Sequence, residues 1–366
     1  MNLHIFNPEH DIALATNLAN FTAPHAGRQL RHDLGFIPAL WAKEGDVVLV
    51  DDEDLSVRSY ERIMHQMKCH LGELRGGMPV SSPRFLQLKR GQALPSFPEP
   101  LRAVSPWGWD MALKYRLQRA GLAELVLPAD AQLAAVRQLS HRRTSAALLP
   151  QLRCDRTVGE SFECQSVEEV EALVSRYDHV VLKAPWSSSG RGLRFVERSS
   201  PVAQLSGWLR NLLASQGSVM VEPFYNKVKD FGMEFCCSSD GHVSYVGLSL
   251  FHTSNGAYTG NVLATESVKR DILNRYIPIC LVDDVRDMIC NCLPALLHGQ
   301  YEGPLGIDMM VVNGADGALL HPCVEINLRR TMGHVALALP PTDDDIQRAM
   351  RIEYQDNRYK LNIVRI

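Results

Sequence analysis

The stretch that decides the fold is "HVVLKAPWSSSGRGLRFV", residues 179–196. An apolar strand ends in Lys183, a short polar run follows, and a second apolar strand begins at Leu193. Gly190 and Gly192 permit backbone angles and close approaches that a Cβ forbids. Ser187, Ser188 and Ser189 supply hydroxyl and backbone donors, and successive N–H groups in such a loop form an anion-binding concavity. A lysine at the strand end adds a compact point charge suited to phosphate. The bland alternative is a surface hairpin with a polar tip. Neither GxxxxGK[ST] nor GxGxxG is present here, so the loop needs partners elsewhere in the chain.

With 366 residues the chain is too long for one simple core and implies two or three domains. A formal net charge of -3 argues against a nucleic-acid partner, which wants a basic face. No apolar run approaches the roughly 20 residues that span a bilayer. "MNLHIFNPEHDIALA" reads as a first strand rather than a secretion signal, so a cytoplasmic location with no membrane partner is expected. The nine cysteines are scattered, as reduced thiols are in a cytosol. His65, Cys69 and His70 in "HQMKCH" lack zinc-type spacing and read as helix-surface residues. Cys236 and Cys237, adjacent on a strand, point to opposite faces and read as packing.

Along the N-terminal third, "LHIFN" and "DVVLVDD" (46–52) read as strands, with a helix over "SVRSYERIMHQMKCHLGEL". Proline-rich "LPSFPEPLRAVSPWGWD" reads as loop, and "ALKYRLQRAGL" as a helix ending at Gly121. "LAAVRQLSHRRTSAALLPQL" holds one or two helices, with Ser140 as a candidate N-cap. "SVEEVEALVSRY" (166–177) is an amphipathic helix with acids in its first turn, as the helix dipole favours. Strands and helices then alternate to the end, many with hairpin-length connections, so part of the sheet is antiparallel.

Two further segments carry chemistry. In "VMVEPFYNKVKDFGMEF" (219–235) an apolar strand runs to Glu222, Pro223 and Phe224, a segment able to lie beside an adenine edge. Asp230 opens the next strand and can accept bonds from ribose hydroxyls; a plain strand pair with acids at its ends is the alternative. "GIDMMVV" (306–312) and "HPCVEINLRR" (321–330) place Asp308 on one strand and Glu325 with Asn327 on one face of the next. Two carboxylates and an amide oxygen suit Mg²⁺, with Mn²⁺ as the alternative ion, leaving positions for water and phosphate. Acids among such apolar neighbours otherwise bury charge at a cost of several kcal/mol. Arg329 can reach the same face and suits a phosphate or a carboxylate. Here the alternative is a structural network of acids and arginines.

Taken in order, Lys183 before a small-residue loop, Glu222, Asp230, Asp308 and the E-x-N-x-R of Glu325, Asn327 and Arg329 resemble the ATP-grasp superfamily over residues 140 to 335. The resemblance implies an α/β and α+β fold: a preATP-grasp-like α/β domain over 1–139, with an acceptor site, then an ATP-grasp fold of two α+β subdomains, 140–221 with the phosphate loop and 222–366 with the Mg site. It implies that Lys183 and Ser187, Ser188, Ser189 and Gly190 hold the phosphates of ATP. Glu222 and Phe224 meet adenine, Asp230 meets ribose, and Asp308, Glu325 and Asn327 bind Mg²⁺. Lys183 and Arg329 then serve catalysis. A basic residue is usual ahead of the lysine strand; "SHRRTSAALL" offers His141, Arg142 and Arg143, of which Arg142 is favoured. Asp230 replaces the more common glutamate. "SLFHTSNGAYTGN" supplies His252 where another phosphate-contacting lysine is usual; an ordinary loop histidine is the equal alternative.

The implied activity is ADP-forming ligation of a small-molecule carboxylate to an amine, less often a thiol, through an acyl phosphate. A small-molecule kinase on the same scaffold and a catalytically silent ATP-binding protein are the alternatives. The loop 187–192 is expected to be mobile without nucleotide. A homodimer is the default oligomer. "FNPEHDIALA" gathers Asn7, Glu9, His10 and Asp11 after the first strand, where α/β sheets favour ligands. His25, Arg28, Arg31, Trp107, Trp109 and Asp110 join them as acceptor-pocket candidates, against local capping and core roles.

Overall fold

The structure, a computed structural model, describes residues 1–71, 83–89, 91–97, 99–187, 192–199, 205–254, 257–341 and 348–366. In chain order its strands begin with β1 (Asn2–Ile5), β2 (Val47–Val50), β3 (Arg84–Gln87) and β4 (Ala103–Pro106). There follow β5 (Phe162–Cys164), β6 (His179–Lys183), β7 (Leu193–Glu197), β8 (Val219–Pro223), β9 (Lys227–Cys237) and β10 (Val243–Ser249). The remainder are β11 (Phe251–Ser254), β12 (Ala257–Leu263), β13 (Gly303–Gly314), β14 (Gly317–Asn327), β15 (Arg348–Gln355) and β16 (Arg358–Arg365). The chain divides into two compact units: Met1–Ala134, Thr259–Val268 and Arg329–Ile366 form the first, Ala135–Tyr258 and Lys269–Leu328 the second.

Unit 1 carries a parallel sheet in the order β3-β2-β1-β4. A parallel sheet is covered on both faces, which is why every residue of β2, "VVLV", is buried. Leu3, Ile5, Val47, Leu49 and Val104 pack with Leu113 and Leu117 of the helix Met111–Arg119. Asp110 caps that helix by accepting from the Leu113 N–H, and Gly121 follows its end at φ +89°, an angle that favours glycine. β4 lies in a stretch read as loop from sequence, and β3 in a stretch to which the sequence assigns no element. β4 sits at the sheet edge, where Pro106 costs no ladder bond. From Gly260 onward β12 pairs with β15, and β15 with β16.

Residues 329–366, attached from sequence to the large subdomain, fold within unit 1. Three bonds tie β16 to its helices: Arg62 donates to Leu361 O, the Ile363 N–H to Gln66, and the Tyr359 N–H to Asp33.

Unit 2 holds two antiparallel sheets. One runs β5-β8-β6-β7 and the other β10-β9-β13-β14. In the first, alternation sends Val180, Leu182, Val196 and Val221 into a core with Val170, Val174, Leu209 and Leu212 of the helices Val167–Tyr177 and Ser206–Gln216. Ser166 caps the former by accepting from the Glu169 N–H. Ser140 caps nothing: it lies between the helix Asp130–Leu139 and the helix Arg143–Leu148, whose N-cap is Arg142. In the second sheet, Phe231, Met233, Phe235, Leu305, Ile307 and Val311 form the buried rows. Cys237 is buried and Cys236 exposed, as adjacent strand residues must be. The cysteines whose side chains are described form no disulfide. No described helix is long and apolar enough to cross a membrane.

Candidate functional site

The strand that buries Val180 and Leu182 turns Val181 and Lys183 to the opposite face of the sheet. Val181 is in register with Glu222 on β8, so Glu222 shares that face one step from Lys183. The two form a buried ion pair, Lys183 Nζ to Glu222 Oε2 at 2.5 Å, with side chains 8% and 7% exposed. Glu222 also accepts from Ser161 Oγ at 3.3 Å. Glu222, expected at an adenine edge, thus has the strand-end lysine as its principal partner.

Of the three basic candidates ahead of β6, the structure brings Arg142 to Lys183's strand end. Its Nε donates to Ala184 O at 3.0 Å, and its Nη2 lies 3.3 Å from both Ser187 O and Ser187 Oγ. Its Nη1 pairs with Glu325 Oε2 at 2.9 Å. One planar guanidinium therefore ties the start of the loop to the carboxylate on β14, a geometry that its rigid fork of donors allows. His141 is instead a core residue, set edge-on to Trp186, and burial holds its pKa down at about 3, with Arg143, Arg137 and Arg142 acting in the same direction. Arg143 lies half-exposed, 3.5 Å from Glu163.

The base of the loop is closed by Gly192, whose carbonyl accepts from the Ala184 N–H at 2.9 Å. A Cβ there would lie 2.5 Å from Ser187 Cβ and 2.9 Å from Ala184 Cβ, so glycine is required by close approach. Ser188, Ser189 and Gly190, like the loop mobility expected of 187–192, fall outside the described residues for all but the loop's ends.

In the second sheet Asp308 on β13 stands directly opposite Glu325 on β14, and Gly306 opposite Asn327. Asn327 Nδ2 donates to Asp308 Oδ2 at 3.2 Å. The register then shifts between Asp308 and Met310, a bulge of the kind found beside functional sites, where it re-aims side chains. Like charges directly opposite destabilise a strand pair; Arg142 already offsets Glu325, and a divalent cation between Asp308 and Glu325 would relieve the repulsion further. Rotating the Asn327 amide presents its oxygen as a third donor. Among the described residues no cluster of three or more His, Cys, Asp or Glu forms a metal site, so the set here is two carboxylates and one amide. That donor set fits Mg²⁺ that keeps water and phosphate ligands, and does not fit a closed structural zinc.

Asp230 is held by Lys227 Nζ at 2.6 Å and by Thr253 Oγ1 at 2.7 Å. Lys227, passed over in the sequence, is thus the cation beside the ribose candidate; three residues apart on a regular strand the two would face opposite ways, and the register irregularity at Val228 brings them together. Phe224 is 42% exposed and stacks on His179 with ring centroids 3.9 Å apart. His252 is exposed on β11. His321, also unread from sequence, is fully buried on β14 with no hydrogen-bond partner at either ring nitrogen. Burial holds its pKa down at about 4.

Arg329 has a different partner from the one expected. In unit 1 its Nε and Nη2 grip Asp11 at 3.0 and 2.8 Å, a bidentate pair that satisfies the guanidinium. Several other N-terminal candidates are also engaged within unit 1, while His25 is exposed. Asn7 donates to Gly108 O, His10 faces Asp110 at 3.3 Å, Arg28 donates to Ala23 O, and Arg31 pairs with Glu9 and Asp51. Trp107 is core, edge-on to Phe6.

No family model matches the chain, and no curated protein matches it. Among solved structures it is similar to Staphylococcus aureus N5-carboxyaminoimidazole synthetase complexed with ADP, at TM-score 0.48 and 12% identity over 97% of this chain and 83% of that one. It is similar to the biotin carboxylase domain dimer of Hydrogenobacter thermophilus 2-oxoglutarate carboxylase with MgADP, at 0.47 and 12% over 96% and 74%. The same holds for D-alanyl-alanine synthetase A from Vibrio cholerae O1, at 0.40 and 13% over 65% and 70%.

Proposed function

We propose that unit 2 is an ATP-grasp-type nucleotide site and that the protein is an ATP-dependent carboxylate–amine, or carboxylate–thiol, ligase that forms ADP and phosphate. One observation carries the reading: Arg142 joins the loop that follows Lys183 to Glu325, so that residues from 142 to 327 in the sequence meet as one oxygen-and-cation constellation. Lys183 and Arg142 supply positive charge for a triphosphate, and the backbone of the loop after Ala184 supplies its N–H groups. Asp308, Glu325 and Asn327 hold Mg²⁺, which when bound neutralises charge on the phosphoryl oxygens. Asp230, with Thr253 and Lys227 beside it, faces the ribose hydroxyls.

No residue of the chain needs to act as a nucleophile. A carboxylate oxygen of the substrate attacks the γ-phosphorus, and the bond to the β-phosphate oxygen breaks with its electrons leaving on ADP. The amine then attacks the acyl carbon, phosphate leaves, and the amine proton passes to solvent. The test is ADP release by the purified protein across a panel of carboxylates paired with amines. The reading expects turnover only with Mg²⁺ and both acceptors, lost in Glu325→Ala. Phosphate retained on a hydroxyl product would make the protein a kinase. Tight Mg²⁺-dependent ATP binding with no turnover on the panel would make it a silent binder.

A further inference from the structure

Beside Arg142 stands a buried tryptophan that takes no part in the chemistry. Trp186 follows Lys183 by three positions and is 6% exposed. The Arg137 guanidinium lies over its ring, 3.9 Å from the centroid, and the His141 ring meets it edge-on with centroids 4.6 Å apart. Its indole N–H donates to Arg137 O at 2.9 Å, and its backbone N–H to Gln216 Oε1 at 3.0 Å. His141 is fixed in turn, since Nδ1 accepts from the Arg143 N–H and Nε2 lies 3.3 Å from Ser218 Oγ. The two segments thus hold each other from both sides. Arg142 reaches forward, its N–H to Pro185 O and its guanidinium to Ala184 and Ser187. Trp186 reaches back, to Arg137 and to His141, the residue before Arg142.

One rigid fork serves Ala184, Ser187 and Glu325 together only if the segments around it keep their spacing. That spacing is set by packing and hydrogen bonds behind the fork, and a guanidinium over an indole face is among the stronger restraints an aromatic side chain makes. We propose that Trp186, braced by Gln216, is a positioning residue for Arg142. It acts on the phosphate end of the ligand through the arginine and not by contact. The proposal rests on the nucleotide reading of the preceding subsection and adds the residues that set the affinity of its phosphate end. Burial alone describes any core tryptophan equally well, so the discriminating quantity is coupling to Arg142 rather than stability.

The experiment is a double-mutant cycle on ligand affinity. The full chain in Mg²⁺ is titrated calorimetrically with ATP, and separately with inorganic tripolyphosphate, as native protein, Trp186→Leu, Arg142→Ala and the two together. The proposal expects Trp186→Leu to weaken both ligands by roughly 10-fold, within the range of coupled neighbours. In the Arg142→Ala background the same substitution should change either affinity by less than about 2-fold, because the group it positions is gone. Gln216→Ala removes the brace at a half-buried helix end without opening the core. It should follow the same pattern with a loss of roughly 3-fold, within the worth of one hydrogen bond, and it carries the test if Trp186→Leu does not fold. Unchanged ATP affinity, or equal weakening with and without Arg142, would overturn the proposal and leave Trp186 an ordinary core residue. If the native protein binds neither ligand, the nucleotide reading itself fails, and the proposal with it.

Discussion

Replacing Lys183 strikes folding and function together in this protein, and replacing Glu222 with it separates them. The sequence alone suggests a phosphate ligand. The structure makes Lys183 one half of a buried pair in which Glu222, 5% exposed, has the Ser161 hydroxyl as its other side-chain partner among the described residues. Removing one partner of a buried ion pair costs about 3–5 kcal/mol, because the remaining charge stays desolvated and uncompensated. At roughly 2–4 °C per kcal/mol for a unit of this size, Lys183→Met should lower the melting temperature of unit 2 by at least about 6 °C. Lys183→Met/Glu222→Leu removes both charges and should recover most of the loss, since an apolar pair of similar volume is often neutral or better. Differential scanning calorimetry of the native protein, both single variants and the double variant yields the coupling energy directly. ATP binding should be lost in Lys183→Met and should not return in the double variant. A Lys183→Met protein that melts with the native protein, or a double variant no more stable than the singles, would refute the reasoning.

Arg142→Lys should weaken ATP binding nearly as much as Arg142→Ala, by roughly 10-fold or more, because an ammonium cannot serve Ala184, Ser187 and Glu325 together; titration calorimetry checks this. His321 and His141 have pKa values held down, by burial first, at about 4 and about 3. Both rings are neutral when folded and take up a proton when unfolded below pH 6.5. Their contribution is therefore complete above that pH and is lost as pH falls toward the folded values. Each should cost about 2 kcal/mol at pH 5 relative to pH 7.5, and urea midpoints in His321→Leu should show a shallower fall than the native protein. Gly192→Ala should break the loop base through its clash with Ser187 and Ala184, weakening ATP while leaving the melting of unit 1 unchanged.

Much of this fold was legible because alternation and turn chemistry were. β6, β8, β9, β13 and β14 read as strands from their apolar rows, and the helix Val167–Tyr177 from its period and its Ser166 cap. β15 was missed because "RAMRIEYQ" is charged, although Asp356 and Asn357, at φ 52° and 60°, form the left-handed pair that a tight hairpin requires. The carboxylate pairing of Asp308 and Glu325 was readable from two-residue spacing and an assumed register. The Lys183–Glu222 bond was not, because it depends on β6 pairing with β8 rather than only with its hairpin partner β7. Nothing local marks Asp11 as the partner of Arg329: the contact spans 318 positions and exists only once residues 329–366 fold into unit 1.

The most direct measurement is a structure of the protein with Mg²⁺ and a non-hydrolysable ATP analogue. The account predicts the triphosphate held in unit 2 by Lys183, Arg142 and the 187–192 loop, with the metal between it and Asp308 and Glu325. Nucleotide bound away from those residues, or a metal without oxygen from either carboxylate, would contradict it.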